Sequence, residues 1–228
     1  MTVLLQDIYQ VKGRSELPFE EALQEHFWGP GRLAPGRLVL SAWLPHGGGE
    51  GYEYVTLIEL ADGAELTAYH QWAAAADGVA WNARIQGMCY SQQSGLHQLR
   101  FGTLDEVRAE TGALRADGSG RPPMYRLDRL TTPNPADALA VIGAQLAAAA
   151  GRVLTPVAAW SPLLSVLAAP EVSVLYQFTS DGFRRVFADD SAMRVWDGEI
   201  DLDKVATARD TRILRSARGA AASSKDQR

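Results

Sequence analysis

Residues Tyr52 to Trp72 read YEYVTLIELADGAELTAYHQW. The first nine are dominated by aromatic and β-branched residues, the composition of a strand. Alternation places Tyr52, Tyr54, Thr56, Ile58 and Leu60 on one face. Val55 and Leu57 lie on the other, flanked by Glu53 and Glu59. A strand apolar on both faces at its centre is covered on both sides. Asp62-Gly63-Ala64-Glu65 then opens a helix, with Asp62 able to cap the free N–H groups and Glu65 able to reach back to the cap.

The same unit recurs from Val172 to Phe187, VSVLYQFTSDGFRRVF: strand, Asp-Gly, amphipathic helix. The pairs Asp62-Gly63 and Asp181-Gly182 lie 119 residues apart, and Trp43 and Trp160 lie 117 apart. Matching landmarks in matching order predict an internal duplication.

The 228 residues fit one large domain or two small ones, and 46% apolar residues suffice for a core. A net charge of −5 with scattered basic residues argues against nucleic-acid binding. The Arg209, Arg212, Arg215 and Arg218 cluster reads as a solvated strand edge and tail. Cys89 is the only cysteine, so no internal disulfide forms, and it reads as a small buried hydrophobe. No apolar run approaches the ~18 residues of a membrane span, and the N-terminus lacks a signal-peptide pattern. The expected setting is soluble and cytoplasmic, with no membrane partner.

Taken in order, Val3 to Val11 is a strand. Pro18 fits a first helical turn, and Phe19, Ala22, Leu23, His26 and Phe27 share one helical face until Gly29-Pro30-Gly31. Arg37 to Leu44 is the next strand. His46-Gly-Gly-Gly-Glu-Gly51 reads as a hairpin loop: no helix follows it to make a phosphate cradle, and no Gly-x-Ser-x-Gly elbow accompanies it. In the second helix Leu66, Tyr69, His70 and Ala73 are expected inward, with Trp72 at the edge. Asp77-Gly78 is expected to interrupt that helix before Val79 to Gln86. Met88 to Phe101 is the last strand, with a break near Ser94-Gly95. The order is β-α-β-β-α-β.

Residues 1–101 thus form a first ferredoxin-like repeat and 102–123 a polar linker. A second, mainly structural repeat occupies 124–215, and a disordered tail 216–228. In the second repeat Asn134-Pro135-Ala136-Asp137 is a strong helix start, with Leu139, Ile142 and Leu146 as the buried stripe. Asp181 to Asp190 is its second helix, and Val205 to Leu214 its closing strand. A four-stranded sheet with helices on one face must bury the other. The predicted fold is therefore α+β, two tandem repeats whose antiparallel sheets pack face to face as an intrachain dimeric α/β barrel.

On Tyr54 to Leu60, the Asp62 turn, the aromatic helix Tyr69 to Trp72 and the strand carrying Ser91-Gln92-Gln93-Ser94, the chain resembles the dimeric α/β barrel superfamily. It looks closest to NIPSNAP-like and cofactor-free monooxygenase-like proteins. The resemblance implies a ligand cleft between the sheet and its helices. It does not choose one reaction, since superfamily members include monooxygenases, lactone isomerases, haem-binding enzymes and proteins without known chemistry.

All four histidines (His26, His46, His70 and His97) fall in the first repeat. A lone histidine on an apolar helix face is most often a hydrogen-bonded core residue, but their confinement to one repeat points to a site there. The leading expectation is an enzyme acting without a cofactor on a small, apolar, aromatic or polyketide-like substrate. His70 is the expected general base. His26 completes a histidine set facing one cleft, and His97 or Arg84 would hold the developing oxyanion. Tyr69, Trp72, Trp28 and Trp43 are the expected flat walls. The alternatives are a non-catalytic ligand-binding or oligomer-forming protein, and a haem or metal enzyme. Against the last, no short His ligand motif exists, and tandem haem-binding relatives carry their axial His in the second copy, which here has none. A homodimer is allowed but not required, because the barrel closes within one chain.

Overall fold

The computed structural model describes residues 2–27, 32–44, 51–105, 107, 123–147, 154–163, 170–179 and 205–217. The elements are β1 (Val3–Lys12), α1 (Glu16–Phe27), β2 (Arg37–Trp43), β3 (Gly51–Leu60), α2 (Gly63–Ala74), α3 (Ala76–Met88), β4 (Cys89–Gly102), β5 (Met124–Thr131), α4 (Pro135–Ala147), β6 (Leu154–Pro162), β7 (Glu171–Phe178) and β8 (Ala208–Ser216). The fold is α+β, and the ladders between these strands run antiparallel. The β-α-β-β-α-β order holds in the first half with its second helix split in two. The helix expected over Asp181 to Asp190 lies outside the described residues, as does the His46 loop. No helix among the described residues is long and apolar enough to cross a membrane.

The chain divides into two compact units. The first holds Met1–Leu96, Asp105–Pro122 and Arg215–Arg228, and the second holds His97–Leu104 and Pro123–Leu214. These boundaries differ from the expected 1–101 and 124–215, because two long strands change allegiance along their length. His97 to Gly102 of β4 pair with β6, from His97 opposite Pro162 to Gly102 opposite Ala158. At the end of β8, Arg215 and Ser216 pair with Trp43 and Ala42 of β2. The tail therefore does not begin at Ser216. Ser216 is a buried strand residue, and the Ala217 N–H donates to the Ser41 carbonyl at 2.8 Å.

In the first unit β3 lies between β1 and β2, and its centre is buried at successive residues, Tyr54 through Ile58. Leu5, Tyr9 and Val11 of β1 pack with Tyr54 and Ile58 of β3 on the helix-covered side. They meet Phe19, Ala22, Leu23 and Phe27 of α1 and Trp81 and Ile85 of α3. The α1 stripe is the one its 3.6-residue periodicity predicts.

Asp62 caps α2 as expected: its Oδ1 accepts from the N–H groups of Ala64 and Glu65, each at 2.9 Å. Glu65 reaches back one residue further than a capping box requires, to the Ala61 N–H at 2.7 Å. Its other oxygen accepts from the Gly36 N–H at 3.1 Å, tying the helix start to the loop before β2.

The helix interruption falls at Ala75, not at Asp77-Gly78. The Ala75 N–H still closes α2 onto Gln71 and Trp72, but its ψ of 165° is extended and redirects the chain. Asp77 then sits in the first turn of α3, where an acid suits the positive helix end. Gly78 is needed for close approach, since a Cβ there would lie 2.1 Å from the Trp72 carbonyl oxygen. β4 runs unbroken through Ser94-Gly95, and its irregularity against β6 lies between Leu99 and Phe101.

In the second unit β7 lies between β5 and β6. Ala138 and Ile142 of α4, with Leu139 beside them, pack on Leu130, Val172, Val174 and Tyr176. Asn134 caps α4 through the Ala136 N–H at 3.1 Å and holds Asp137 through its amide at 2.8 Å.

Asp62→Ala removes the acceptor for two N–H groups at the head of α2. It is expected to cost about 1 kcal/mol of stability, read as a lower urea midpoint with an unchanged slope.

Candidate functional site

A cleft of about 710 Å³ opens in the first unit between α2, α3 and the first half of β4. One wall is aromatic: Tyr69, Trp72 and Trp81. Tyr69 and Trp72 stand three residues apart on the inward side of α2, and their rings lie 5.7 Å apart. Trp81 comes from α3, 5.6 Å from Trp72. Phe27 of α1 packs edge-on against Trp72 and Trp81 at 5.6 and 5.2 Å. The Trp81 indole N–H donates to the Ala22 carbonyl at 3.2 Å and fixes that ring. The Trp72 indole N–H is buried without a protein acceptor.

The opposite wall is polar. Ser91, Gln92 and Ser94 line it from β4, and Asn82 and Gln86 from α3. Behind it lies Asp7 of β1, 2% exposed. The Ser94 hydroxyl donates to Asp7 Oδ1 through a short hydrogen bond, and Gln92 Nε2 donates to the same oxygen at 3.3 Å. Gln92 Nε2 also reaches Ser94 Oγ at 3.1 Å. The Tyr9 hydroxyl donates to Asp7 Oδ2 at 3.1 Å.

No cation pairs with Asp7 among the described residues. Burial raises its pKa from the ordinary value, and the hydrogen bonds from Ser94, Gln92 and Tyr9 offset part of that rise. Burial and the Asp7 charge together hold the phenols of Tyr9 and Tyr69 neutral, with both pKa values raised. Burial pushes the Cys89 thiol up to about 11, against a smaller opposing pull from Lys12. The thiol is therefore a neutral part of the cleft wall at pH 7.

The second unit carries the same carboxyl–hydroxyl pair with a different neighbour. Asp128 stands 121 residues after Asp7 and accepts from the Thr211 hydroxyl at 2.8 Å, Thr211 standing 117 residues after Ser94. Arg126, two residues before Asp128, donates to it at 2.9 Å, and both side chains are fully buried. The residue two before Asp7 is Leu5. The carboxylate is neutralised in the second unit and not in the first.

Of the residues expected at the site, Tyr69 and Trp72 line the cleft. The expected convergence of His26, His70 and His97 does not occur. His70 is exposed, because the inward side of α2 is set by Leu66, Tyr69, Trp72 and Ala73, and the next position along turns outward. His26 is buried behind the aromatic wall, 5.8 Å from Trp81, with its Nδ1–H donating to the Ala22 carbonyl at 3.2 Å. His97 belongs to the second unit, opposite Pro162. Its Nδ1 is buried without a partner. Arg84 is exposed and pairs with Glu25 at 2.8 Å. Trp43 is a core residue whose indole N–H donates to the Glu20 carboxylate. Trp28 lies outside the described residues. Among the described residues no three His, Cys, Asp or Glu side chains converge as a metal site.

Sequence reasoning missed Asp7, Trp81, Gln92 and Ser94 as site residues. The signal for Asp7 was an acid in an apolar row: Val3, Leu5, Asp7, Tyr9 and Val11 share one face of β1.

No protein-family model and no curated protein sequence matches the chain. Solved structures do match in fold. A Fusobacterium nucleatum protein described as a "putative monooxygenase" superposes with a TM-score of 0.59 at 7% identity, covering 94% of this chain and 92% of that one. An anthrone oxidase-like protein superposes at 0.55 with 11% identity, covering 95% and 91%. A Lactobacillus acidophilus protein, described like the first, superposes at 0.52 with 10% identity, covering 96% and 97%. At these identities the likeness is one of fold.

Burial lowers the His97 pKa to about 4; Arg129 adds to the fall and Glu171 opposes it. Between that value and the ordinary value of 6.5 the unfolded chain binds the proton and the folded chain does not. Stability from this group is complete above pH 6.5 and is lost as pH falls towards 4, up to about 3 kcal/mol. Urea titrations from pH 7 to 4 are expected to show a shallower loss for His97→Gln than for the unmodified protein.

Proposed function

We propose that the first-unit cleft is the active site of a small-molecule oxidase-type enzyme. Asp7, acting through Ser94, takes a proton from a planar, hydroxylated or ketonic aromatic substrate. The observation that carries this reading is Asp7 itself: a buried carboxylate without a cation, one hydrogen bond behind an aromatic cleft. Carboxyls with raised pKa values beside clefts are suited to acid–base work near neutral pH. We read the two units as copies of one ancestral repeat, the second retaining the carboxyl–hydroxyl pair in a neutralised, structural form. The descriptions of the structures with this fold as monooxygenases and as anthrone oxidase-like support the same class of chemistry.

The Ser94 hydroxyl proton points at Asp7 and Gln92 Nε2 donates to Ser94 Oγ, which leaves one lone pair for a donor in the cleft. As the substrate hydroxyl or acidic C–H gives its proton to Ser94 Oγ, the Ser94 proton passes to Asp7. Negative charge leaves a buried site that disfavours it and spreads over the substrate rings, stacked on Tyr69, Trp72 and Trp81. The amides of Asn82 and Gln86 are the donors available to the developing oxyanion. With anthrone as substrate, the delocalised anion reacts with dioxygen, and the balance is one anthrone and one dioxygen to one anthraquinone and one water. The chemistry asks the protein for a base and a planar pocket, and for no bound cofactor.

The test is anthrone-dependent oxygen consumption with quinone absorbance, measured above the spontaneous rate. Asp7→Asn keeps the side chain's shape and is expected to lower turnover by about 10²-fold or more. Its melting temperature should not fall, since a buried charge is removed. His70→Ala is expected to leave turnover within about twofold, as an exposed surface change away from the chemistry. The base must be ionised, so kcat/KM should fall as pH drops through the Asp7 pKa, in a limb lying above that of an exposed aspartate. Undiminished turnover in Asp7→Asn would remove the acid–base reading and favour a non-catalytic, NIPSNAP-like ligand-binding or oligomer-forming protein.

A further inference from the structure

We propose that the cleft admits its substrate only in the uncharged, protonated form, so that carboxylates, phosphates and preformed phenolates are rejected. This rests on the cleft being the substrate site and names the class of ligand it takes: a neutral planar acid whose own ionisation lies above the working pH.

No Asp, Glu, Lys, Arg or His is among the described residues that line the cleft. Among its lining groups, Tyr69 and Cys89 are held neutral by burial. The charge directly behind the lining is Asp7, negative and held by Ser94, Gln92 and Tyr9. The nearby cations, Lys12 and Arg84, do not line the cleft. Lys12 Nζ donates to the Gly87 carbonyl at 2.8 Å and lies 5.8 Å from the Tyr90 ring centroid. Arg84 is paired with Glu25 on the exposed side of α3.

An anionic ligand entering this cleft gives up part of its hydration, finds no counter-ion among the lining residues and meets a like charge across one hydrogen bond. A neutral hydroxyl or enol meets the reverse: an acceptor at Ser94 Oγ backed by a carboxylate, and amides at Asn82, Gln86 and Gln92 that suit carbonyl and hydroxyl edges. The substrate therefore carries its proton in and loses it inside. The pH profile should show two limbs from different molecules, an acidic limb set by Asp7 and a basic limb set by the substrate's own ionisation.

The test uses two probes of one shape, 2-naphthol and 2-naphthoate, with binding to the full chain followed by calorimetry and by tryptophan fluorescence. At pH 7 the naphthol is expected to bind about tenfold tighter or more, a gap of roughly 1.4 kcal/mol. Its affinity should fall as pH rises through its own ionisation, and this series needs no variant. In Asp7→Asn the gap should narrow to about threefold or less.

Equal or tighter binding of the naphthoate overturns the proposal, as does naphthol affinity that stays flat through its ionisation. A gap undiminished in Asp7→Asn also overturns it, because the like charge would not be its cause. Failure of both probes to bind overturns the proposal and the site together. The naphthol preference appearing with undiminished anthrone turnover in Asp7→Asn would sink the acid–base role while the selectivity stands.

Discussion

The hydrogen-bonded register of β1 on β3 is the constraint on which the site depends. β3 is buried at its centre on alternate and successive residues alike, so it cannot slide or turn without exposing apolar surface. β1 is locked to it over ten residue pairs, from Val3 opposite Leu60 to Lys12 opposite Gly51. That register sets Asp7 opposite Thr56 and Tyr9 opposite Tyr54, on the side the helices cover. A slip of one residue would move every side chain of β1 to the other face. The position of the carboxyl is thus fixed by the packing of the whole strand, not by local contacts that a loop could relax.

Burying a carboxylate is costly unless a charge or a set of hydrogen bonds answers it. The two units answer it differently. In the second, Arg126 lies against Asp128, and both side chains are fully buried. In the first, three neutral donors serve Asp7: a hydroxyl, an amide and a phenol. Hydrogen bonds of that kind hold the group in place and leave its proton affinity high. An arginine at position 5 would have lowered it. A leucine there leaves the carboxyl without a counter-ion from its own strand.

Much of the fold was legible because it follows from period and capping. The alternation of β3, the Phe19–Phe27 stripe of α1, and the Asp62 and Asn134 caps appear where composition places them. The break at Ala75 was not legible, since alanine is the best helix former. The chain turns there because Gly78 lets α3 seat against the Trp72 carbonyl, a contact no local propensity reports. The site was legible only in part. Tyr69 and Trp72 follow from helical spacing. The histidines drew weight through rarity and chemistry, yet His70 lies one position past the inward side of its helix and His97 groups with the other unit. Asp7 is an acid in an apolar row, a signal passed over, and its partners on β4 come from 85 and 87 residues away. Only the return of β4 beside β1 brings them to it.

Asp7 also bears on why the fold keeps an expensive feature at all. An asparagine could satisfy Ser94, Gln92 and Tyr9 with little change of shape, and a leucine could fill the space. Either would spare the desolvation of a charge. In a purely structural core the cheaper solution for a buried carboxylate is the one this same chain uses at Arg126 and Asp128. The first unit forgoes it beside a large aromatic cleft, where a negative charge without a counter-ion disfavours anions and attracts protons. Those are the properties of a base waiting for a neutral acid. The asymmetry between two otherwise matching carboxyl–hydroxyl pairs is therefore a chemical difference between the units, which packing alone does not require.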